Sequence, residues 1–461
     1  MSGIAELVAN LGYEVSGSDL RRSELTDRLQ TMGVEIAIGH DASHVGNADV
    51  VVISSAVAPD NPEVAAARAR QLPVIPRAEM LAELMRLRTG IAIAGAHGKT
   101  TTTSMIALTL ERAGLDPTAV IGGRLSAFGS NARLGQGEYM VAEADESDRS
   151  FLTLSPAIAV ITNIDREHLD AYGSFERLAA AFVEFAGRVP FYGAVVACLD
   201  DAPVRTILPR ITRRTITYGF SDGANVRGVE PVTDGEQARC RVHYDVRGVP
   251  EGRGEGAIAL PVPGRHTLQN ALAAVAVGLE VGVPFETIAR ALGDFAGAER
   301  RYQRRGRARG VTVVDDYGHH PTEIAAVLAT ARAGHPPRVI AVFQPHRYSR
   351  TRDLLAEFGP ALAPADVVVL TDIYAAGEAP VAGATLDALA AAVAPAVRDL
   401  HVVPRLEDLP AAVATLARDG DLVLTLGAGS IGAVGDRILA ALAAGAHGDA
   451  DASDRAAGGT Q

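Results

Sequence analysis

Short apolar runs constrain this chain more than any other feature: Val50-Val51-Val52-Ile53, Ile91-Ala92-Ile93-Ala94, Ile158-Ala159-Val160-Ile161 and Val311 to Val314, spaced by helix-like segments. A strand that is apolar on consecutive residues is buried on both faces, which happens where helices cover both sides of a parallel sheet. The rhythm predicts an α/β fold. In open sheets of this class ligands sit at the carboxyl ends of strands, and there the polar motifs of this chain fall.

At 461 residues the chain has room for about three domains. The helix ending near Arg88-Thr89-Gly90 and the connector Gly297-Ala298-Glu299-Arg300 suggest cuts giving 1–88, 89–297 and 298–445, with a small, polar tail over 446–461 expected to be disordered. Residues 220–258, rich in Gly and Arg with short alternating runs, read as hairpin strands inserted in the middle unit. Forty-three Lys plus Arg against 55 Asp plus Glu leave a net charge of −12, so general nucleic-acid binding is not expected despite the run Arg300, Arg301, Arg304, Arg305, Arg307 and Arg309. Cys198 and Cys240 have no metal spacing and suit a reducing compartment. No apolar run reaches the ~18 residues of a membrane span, and no signal-peptide pattern opens the chain, so the expectation is a cytoplasmic protein with no membrane partner.

The strongest motif is IAIAGAHGKTTT, residues 91–102: a buried strand, a glycine loop, and Lys99 and Thr100 opening a helix predicted over 100–113. Backbone N–H groups at such a helix start face an anion, and the helix dipole favours negative charge there. Lys99 would reach the terminal phosphates of a nucleotide and the Thr100 hydroxyl a Mg²⁺ ion. The full Walker pattern asks for Gly six places before the Lys, where Ile93 stands, leaving the shorter form Gly95-x-x-Gly98-Lys99-Thr100.

Further motifs end further strands. YMVAEADESDRSF, 139–151, delivers Glu143, Asp145, Glu146 and Asp148, a cluster that would repel itself without a cation; hard Mg²⁺ prefers such oxygen ligands. AVITNIDREHLDAYGSF, 159–175, follows with Asn163, Asp165, His168 and Asp170, His168 being a possible second metal ligand. VVDDYGHHPTEI, 313–324, supplies Asp315, Asp316, Tyr317, His319 and His320, and FQPHRYSRTRD, 343–353, supplies His346, Arg347, Arg350 and Arg352. Arginine pairs bidentately with carboxylate or phosphate.

GAHGKTTT, EADESD, TNIDREHLDAYG, GAERRYQ, DDYGHHPTEI and FQPHRYSRTRD, in this order and spacing, resemble the peptidoglycan Mur ligases over roughly residues 1–435. The resemblance implies three domains: a Rossmann-like one for a UDP-sugar, a central P-loop ATPase, and a Rossmann-like C-terminal one for an amino acid. It also implies an ATP- and Mg²⁺-dependent amide ligase, most like the members that join L-alanine to the lactyl carboxylate of UDP-N-acetylmuramate through an acyl phosphate. Residue by residue, Gly95, Ala96, His97, Gly98, Lys99, Thr100 and Thr101 resemble the ATP loop. Thr100, Glu143 and His168 resemble the magnesium ligands, and Asn270, Arg300 and Asp316 the nucleotide contacts. His319, His346, Arg347 and Arg350 resemble the residues around the incoming amino acid. Asp19 resembles a uridine contact, with Ser54 and Ser55 nearby. Lys99, His168, His319, His346 and Arg350 are thereby expected to be catalytic, and closure of the third domain is expected to exclude water from the acyl phosphate.

Thr267 stands where the family commonly has Asn, and Ser430 where it has Asp. The nearest alternative is the recycling ligase that joins UDP-N-acetylmuramate to a murein tripeptide; Tyr317-Gly318, where that group tends to have Phe-Ala, favours the alanine reading. Folate polyglutamate ligases share the loop but lack such a UDP-sugar domain, and a nucleotide-binding regulator would not need the full set of Lys99, Glu143, His168 and His346. In the family, the stretch MSGIAE is internal and follows a first strand and a glycine-rich loop. The resemblance therefore implies that Met1 matches an internal methionine, and that about 15 to 25 residues of strand and loop precede it in the working protein.

Overall fold

The computed structural model describes all but residues 55–56, 59, 126–129 and 445–461 and the side chains of 122–125, 130–131 and 170; Ser55 and the tail predicted over 446–461 thus lie outside the described residues. The chain forms two compact units. One comprises Met1–Glu230, Cys240–Ala259 and Gln269–Phe295, the other Pro231–Arg239, Leu260–Leu268 and Ala296–Gln461.

A ten-stranded sheet dominates. Across it the order is Arg253–Leu260, Ala238–Asp245, Val226–Thr233, Thr215–Gly219, Ala194–Cys198, Ile158–Ile161, Thr89–Ala94, Tyr139–Glu143, Thr118–Leu125 and Ser130–Arg133. Neighbours from Val226–Thr233 through Thr118–Leu125 are parallel, as the apolar runs predict. The central strands are buried along their length, with Ile91 to Ala94 and Ala159 to Ile161 fully inaccessible. On one face the helix Phe175–Gly187 lays Phe182 and Phe185 against Phe151, with ring centroids 5.3 and 5.1 Å apart. Each such buried ring contributes roughly 1.5–3 kcal/mol. The strands of the region 220–258 lie side by side at one end of the sheet. Cys198 and Cys240 are buried thiols.

At the start of the chain, helix Ser2–Asn10 buries Ile4 and Leu7. The first strand begins at Ser16, and Tyr13 ahead of it is 67% exposed. Ser16–Asp19 pairs with Glu35–Ile38, and Val51–Ile53 with Val74–Pro76, as two separate parallel pairs.

The second unit holds a six-stranded sheet in the order Gln303–Ala308, Val311–Asp316, Leu422–Leu426, Val339–Phe343, Val367–Leu370, Leu400–Val402. Its first pair is antiparallel and the rest are parallel. Side chains alternate between faces along a strand, so Val314 and Phe343 enter one core with Leu328 and Phe358, while Val313 and Val342 enter the other with Ile431 and Val434. Both sheets therefore lie between helical layers and present their strand ends as polar edges. Among the described residues, no helix is long and apolar enough to cross a membrane.

Candidate active site

The strand Thr89–Ala94 runs into the glycine loop, and the helix starts at Lys99, one residue before the predicted position, and ends at Arg112. Two glycines are required by geometry. Gly95 has φ +135°, and a Cβ there would stand 2.1 Å from Thr162 Oγ1; Gly98 has φ +79°, and a Cβ would stand 2.6 Å from Asn270 Oδ1. Both conditions exclude side chains. The loop is tied to the end of the neighbouring strand: the Ala96 N–H donates to Asn163 O (3.2 Å), the His97 N–H to Asn163 Oδ1 (2.8 Å), and Thr162 Oγ1 to His97 O (2.7 Å). His97 Nε2 lies 2.8 Å from Asp165. Thr100 and Thr101 are buried in the first helical turn.

Lys99 Nζ donates to Gly95 O (2.6 Å), Ala96 O (3.3 Å) and Glu146 Oε1 (2.8 Å). Burial pulls its pKa down, but Glu146 foremost, with Glu143 and Glu167, outweighs burial and holds the ammonium above its ordinary value. The acidic turn after Tyr139–Glu143 folds back so that Glu146 is only 2% exposed, its main chain fixed by the Tyr172 hydroxyl (2.6 Å). His168, at φ +56°, turns the chain left-handed and brings its Nε2 to 3.9 Å from both Glu146 and Glu167. One donor atom each from Glu146, Glu167 and His168 falls within 4.8 Å of the others. Of the metal set predicted from sequence, His168 joins this trio, Glu143 acts on Lys99, and Thr100 lies in the first turn of the helix. Glu146 comes to the trio from the acidic cluster expected to need a cation, whereas no sequence reading singles out Glu167. The only sequence signal for Glu167 is its place beside His168.

Asp19 ends its strand and accepts from the Arg21 N–H at 3.2 Å, and Ser54 follows Val51–Ile53. Those two strands belong to different pairs, so the structure does not link Asp19 and Ser54 by strand pairing.

In the second unit Arg300 donates to Asp315 (2.9 Å) and Gly427 O (2.5 Å), and its guanidinium lies 5.3 Å from the Tyr317 ring centroid. The Asp316 carboxyl accepts from the Tyr302 N–H (2.7 Å) and the Gly318 N–H (2.6 Å), and burial pushes its pKa up to about 6. Arg300 and Asp316 are thus engaged within their own unit, whereas Asn270 lies directly at the glycine loop. His319 and His346 meet edge to face, centroids 5.3 Å apart, and Arg350 Nη1 stands 3.1 Å from His346 Nδ1. Burial, then His319 and the Arg350 and Arg347 guanidiniums, push the His346 pKa down to about 3. A neutral imidazole accepting on Nδ1 carries its proton on Nε2, so His346 presents a donor. At the two departures from the family pattern, Thr267 Oγ1 donates to Pro263 O (2.8 Å) and Ser430 shares hydrogen bonds with Gln344.

Three family models match the chain: "Mur ligase family, catalytic domain" over residues 1–89, "Mur ligase middle domain" over 93–278, and "Mur ligase, glutamate ligase domain" over 300–429. The chain is 53% identical over 445 residues to the UDP-N-acetylmuramate–L-alanine ligase of Pelobacter propionicus, covering 96% of this chain and 95% of that protein. It is 56% identical over 443 residues to the ligase of the same name from Anaeromyxobacter dehalogenans, again 96% and 95%. Among solved structures, the UDP-N-acetylmuramate-alanine ligase of Thermotoga maritima superposes with a TM-score of 0.80 at 27% identity, covering 95% of this chain and 96% of that one. The murein peptide ligase of Psychrobacter arcticus, at a TM-score of 0.70 and 24% identity over 96% of each chain, shares the fold.

Proposed function

Since the chain belongs to the Mur ligase family, we propose that it joins L-alanine to the lactyl carboxylate of UDP-N-acetylmuramate at the expense of ATP, in the cytoplasmic synthesis of peptidoglycan precursors. Support comes from the relatives of that name at 53% identity over 96% of the chain. The observation that carries the chemistry is the buried Lys99 ammonium on a glycine loop, facing Glu146.

The lactyl carboxylate attacks the γ-phosphate, ADP leaves, and the amine of L-alanine then displaces phosphate from the acyl phosphate. Gly95 to Gly98 keep the loop open to a polyphosphate, and the first amides of the helix Lys99–Arg112 face it. Lys99 is already charged, and exchanging its carbonyl partners for phosphate oxygens places that charge on the transferring group. Magnesium fits the acidic side: Glu143 Oε1 and Glu146 Oε2 are buried with no hydrogen-bond partner among the described residues, and Glu146 is grouped with Glu167 and His168. Thr100, Glu143, Glu146, Glu167 and His168 would hold Mg²⁺, which supplies charge neutralisation on the phosphates. Asp19 and Ser54 would read the uridine, while His319, His346, Arg347 and Arg350 would receive the amino acid, His346 as a neutral donor and the arginines toward the carboxylate.

The test is phosphate release from ATP, expected only when UDP-N-acetylmuramate and L-alanine are both present. Turnover that preferred a murein tripeptide to L-alanine would replace this reading by the recycling ligase, and hydrolysis without either acceptor would remove it.

A further inference from the structure

Behind His346 runs a segment that no motif singles out. His346 and Tyr374 form an isolated parallel bridge: the Tyr374 N–H donates to Pro345 O and the Arg347 N–H to Tyr374 O, each at 2.8 Å. Their rings stack on that bridge, centroids 5.6 Å apart and planes within 14°. The tyrosine ring has its place reserved on the other side as well. A Cβ on Gly429 would stand 2.5 Å from Tyr374 Cγ and 2.8 Å from Gln344 Oε1. Glycine at 429 therefore makes room for the tyrosine and for the Gln344 amide beside it.

The next residue after His346 is held equally firmly. Arg347 adopts φ +70°, a conformation a non-glycine residue keeps only where its surroundings impose it. The bridge supplies one constraint and Glu378 another. Glu378 accepts from Ser349 Oγ (2.6 Å) and the Ser349 N–H (3.0 Å), and lies 4.0 Å from the Arg347 guanidinium. These contacts fix the start of the short helix Tyr348–Asp353, which carries Arg350 back to His346 Nδ1.

We propose that Tyr374, seated against Gly429, and Glu378 are positioning residues of the amino-acid site: Tyr374 sets the plane of His346, and Glu378 sets the turn that aims Arg347 and Arg350. This rests on the reading that His346, Arg347 and Arg350 receive L-alanine. Tyr374 and Glu378 act through those side chains, not on the substrate. A stacked imidazole with Nδ1 occupied by an arginine points its Nε2–H along one direction, which recognition of a small, rigid substrate requires.

Steady-state phosphate release by the full chain tests it with Tyr374→Ala, Tyr374→Phe, Gly429→Ala and Glu378→Gln. In Tyr374→Ala and Gly429→Ala, the KM for L-alanine rises roughly 3- to 10-fold, the scale of one lost aromatic pair, while the KM values for ATP and UDP-N-acetylmuramate stay put. Tyr374→Phe retains the stack and behaves as wild type, and Glu378→Gln shifts the alanine KM in the same direction. Exchange of label between ADP and ATP with UDP-N-acetylmuramate alone, which needs no amine, is unchanged throughout. An unchanged alanine KM in both Tyr374→Ala and Gly429→Ala overturns the proposal, as does a parallel rise in all three KM values with a lowered Tm. Should the wild type refuse L-alanine, the underlying reading fails, and the same variants assayed with the amine it does accept decide the positioning role.

Discussion

Lys99 and Glu146 form an ion pair of 2.8 Å drawn almost wholly out of water, their side chains 19% and 3% exposed. In such a pair the loss of one member matters more than the loss of both, because the survivor remains buried as an uncompensated charge. Lys99→Ala is expected to lower unfolding stability by about 3–5 kcal/mol, and Lys99→Ala with Glu146→Gln to recover part of it. Urea denaturation of the two variants and the wild type checks the order. Phosphate release should fall in both by at least about 10²-fold, the scale of a lost transition-state donor.

Gly98 is confined twice, by φ +79° and by Asn270. Gly98→Ala is expected to destabilise by more than the ~1 kcal/mol typical of alanine forced to positive φ and to weaken ATP binding. Adding Asn270→Ala clears the space but leaves the backbone strained, so it restores only part of the loss. Calorimetric titration with a non-hydrolysable ATP analogue, beside thermal melts, separates the two contributions.

Two imidazoles resist protonation. Burial, then the Arg301 charge, puts His266 near a pKa of about 4, and His346 is at about 3, against an ordinary 6.5. Between 6.5 and those values the unfolded chain binds protons that the folded one refuses. Stability contributed by these groups is therefore complete above about pH 6.5 and lost progressively as pH falls toward 4 and 3. Asp316, raised to about 6, acts in the opposite sense below that pH, so the comparison is between variants. On going from pH 7.5 to pH 5, the urea midpoint of the wild type should drop further than that of His346→Gln.

Removal of divalent metal should abolish phosphate release, with Mg²⁺ restoring it. His168→Ala is expected to raise the Mg²⁺ concentration for half-maximal activity by roughly 10-fold or more. An unaltered requirement in that variant would remove His168 from the metal site.

The strand–loop–helix around Gly95 to Lys99 was legible because a buried strand, positive-φ glycines and a helix start each leave a local trace in sequence. The parallel order of the sheet followed from the runs at Ile91 and Ile158 for the same reason. Asn270 and Gly98 are 172 positions apart, and only the resemblance placed them together. Glu167 and the burial of Glu146 depend on a left-handed turn at His168, which a histidine does not advertise. Tyr374 reads as an ordinary loop residue until Gly429 is seen beneath it.

The bonds from Ala96 and His97 to Thr162, Asn163 and Asp165 have a mechanical consequence. The phosphate loop and the turn bearing Glu167 and His168 belong to a single rigid part, stitched across adjacent strands, and neither can be displaced alone. A nucleotide settling on one half is felt at the other without any hinge between them. Changes at Thr162 or Asn163 should then disturb nucleotide and metal affinity together and in proportion.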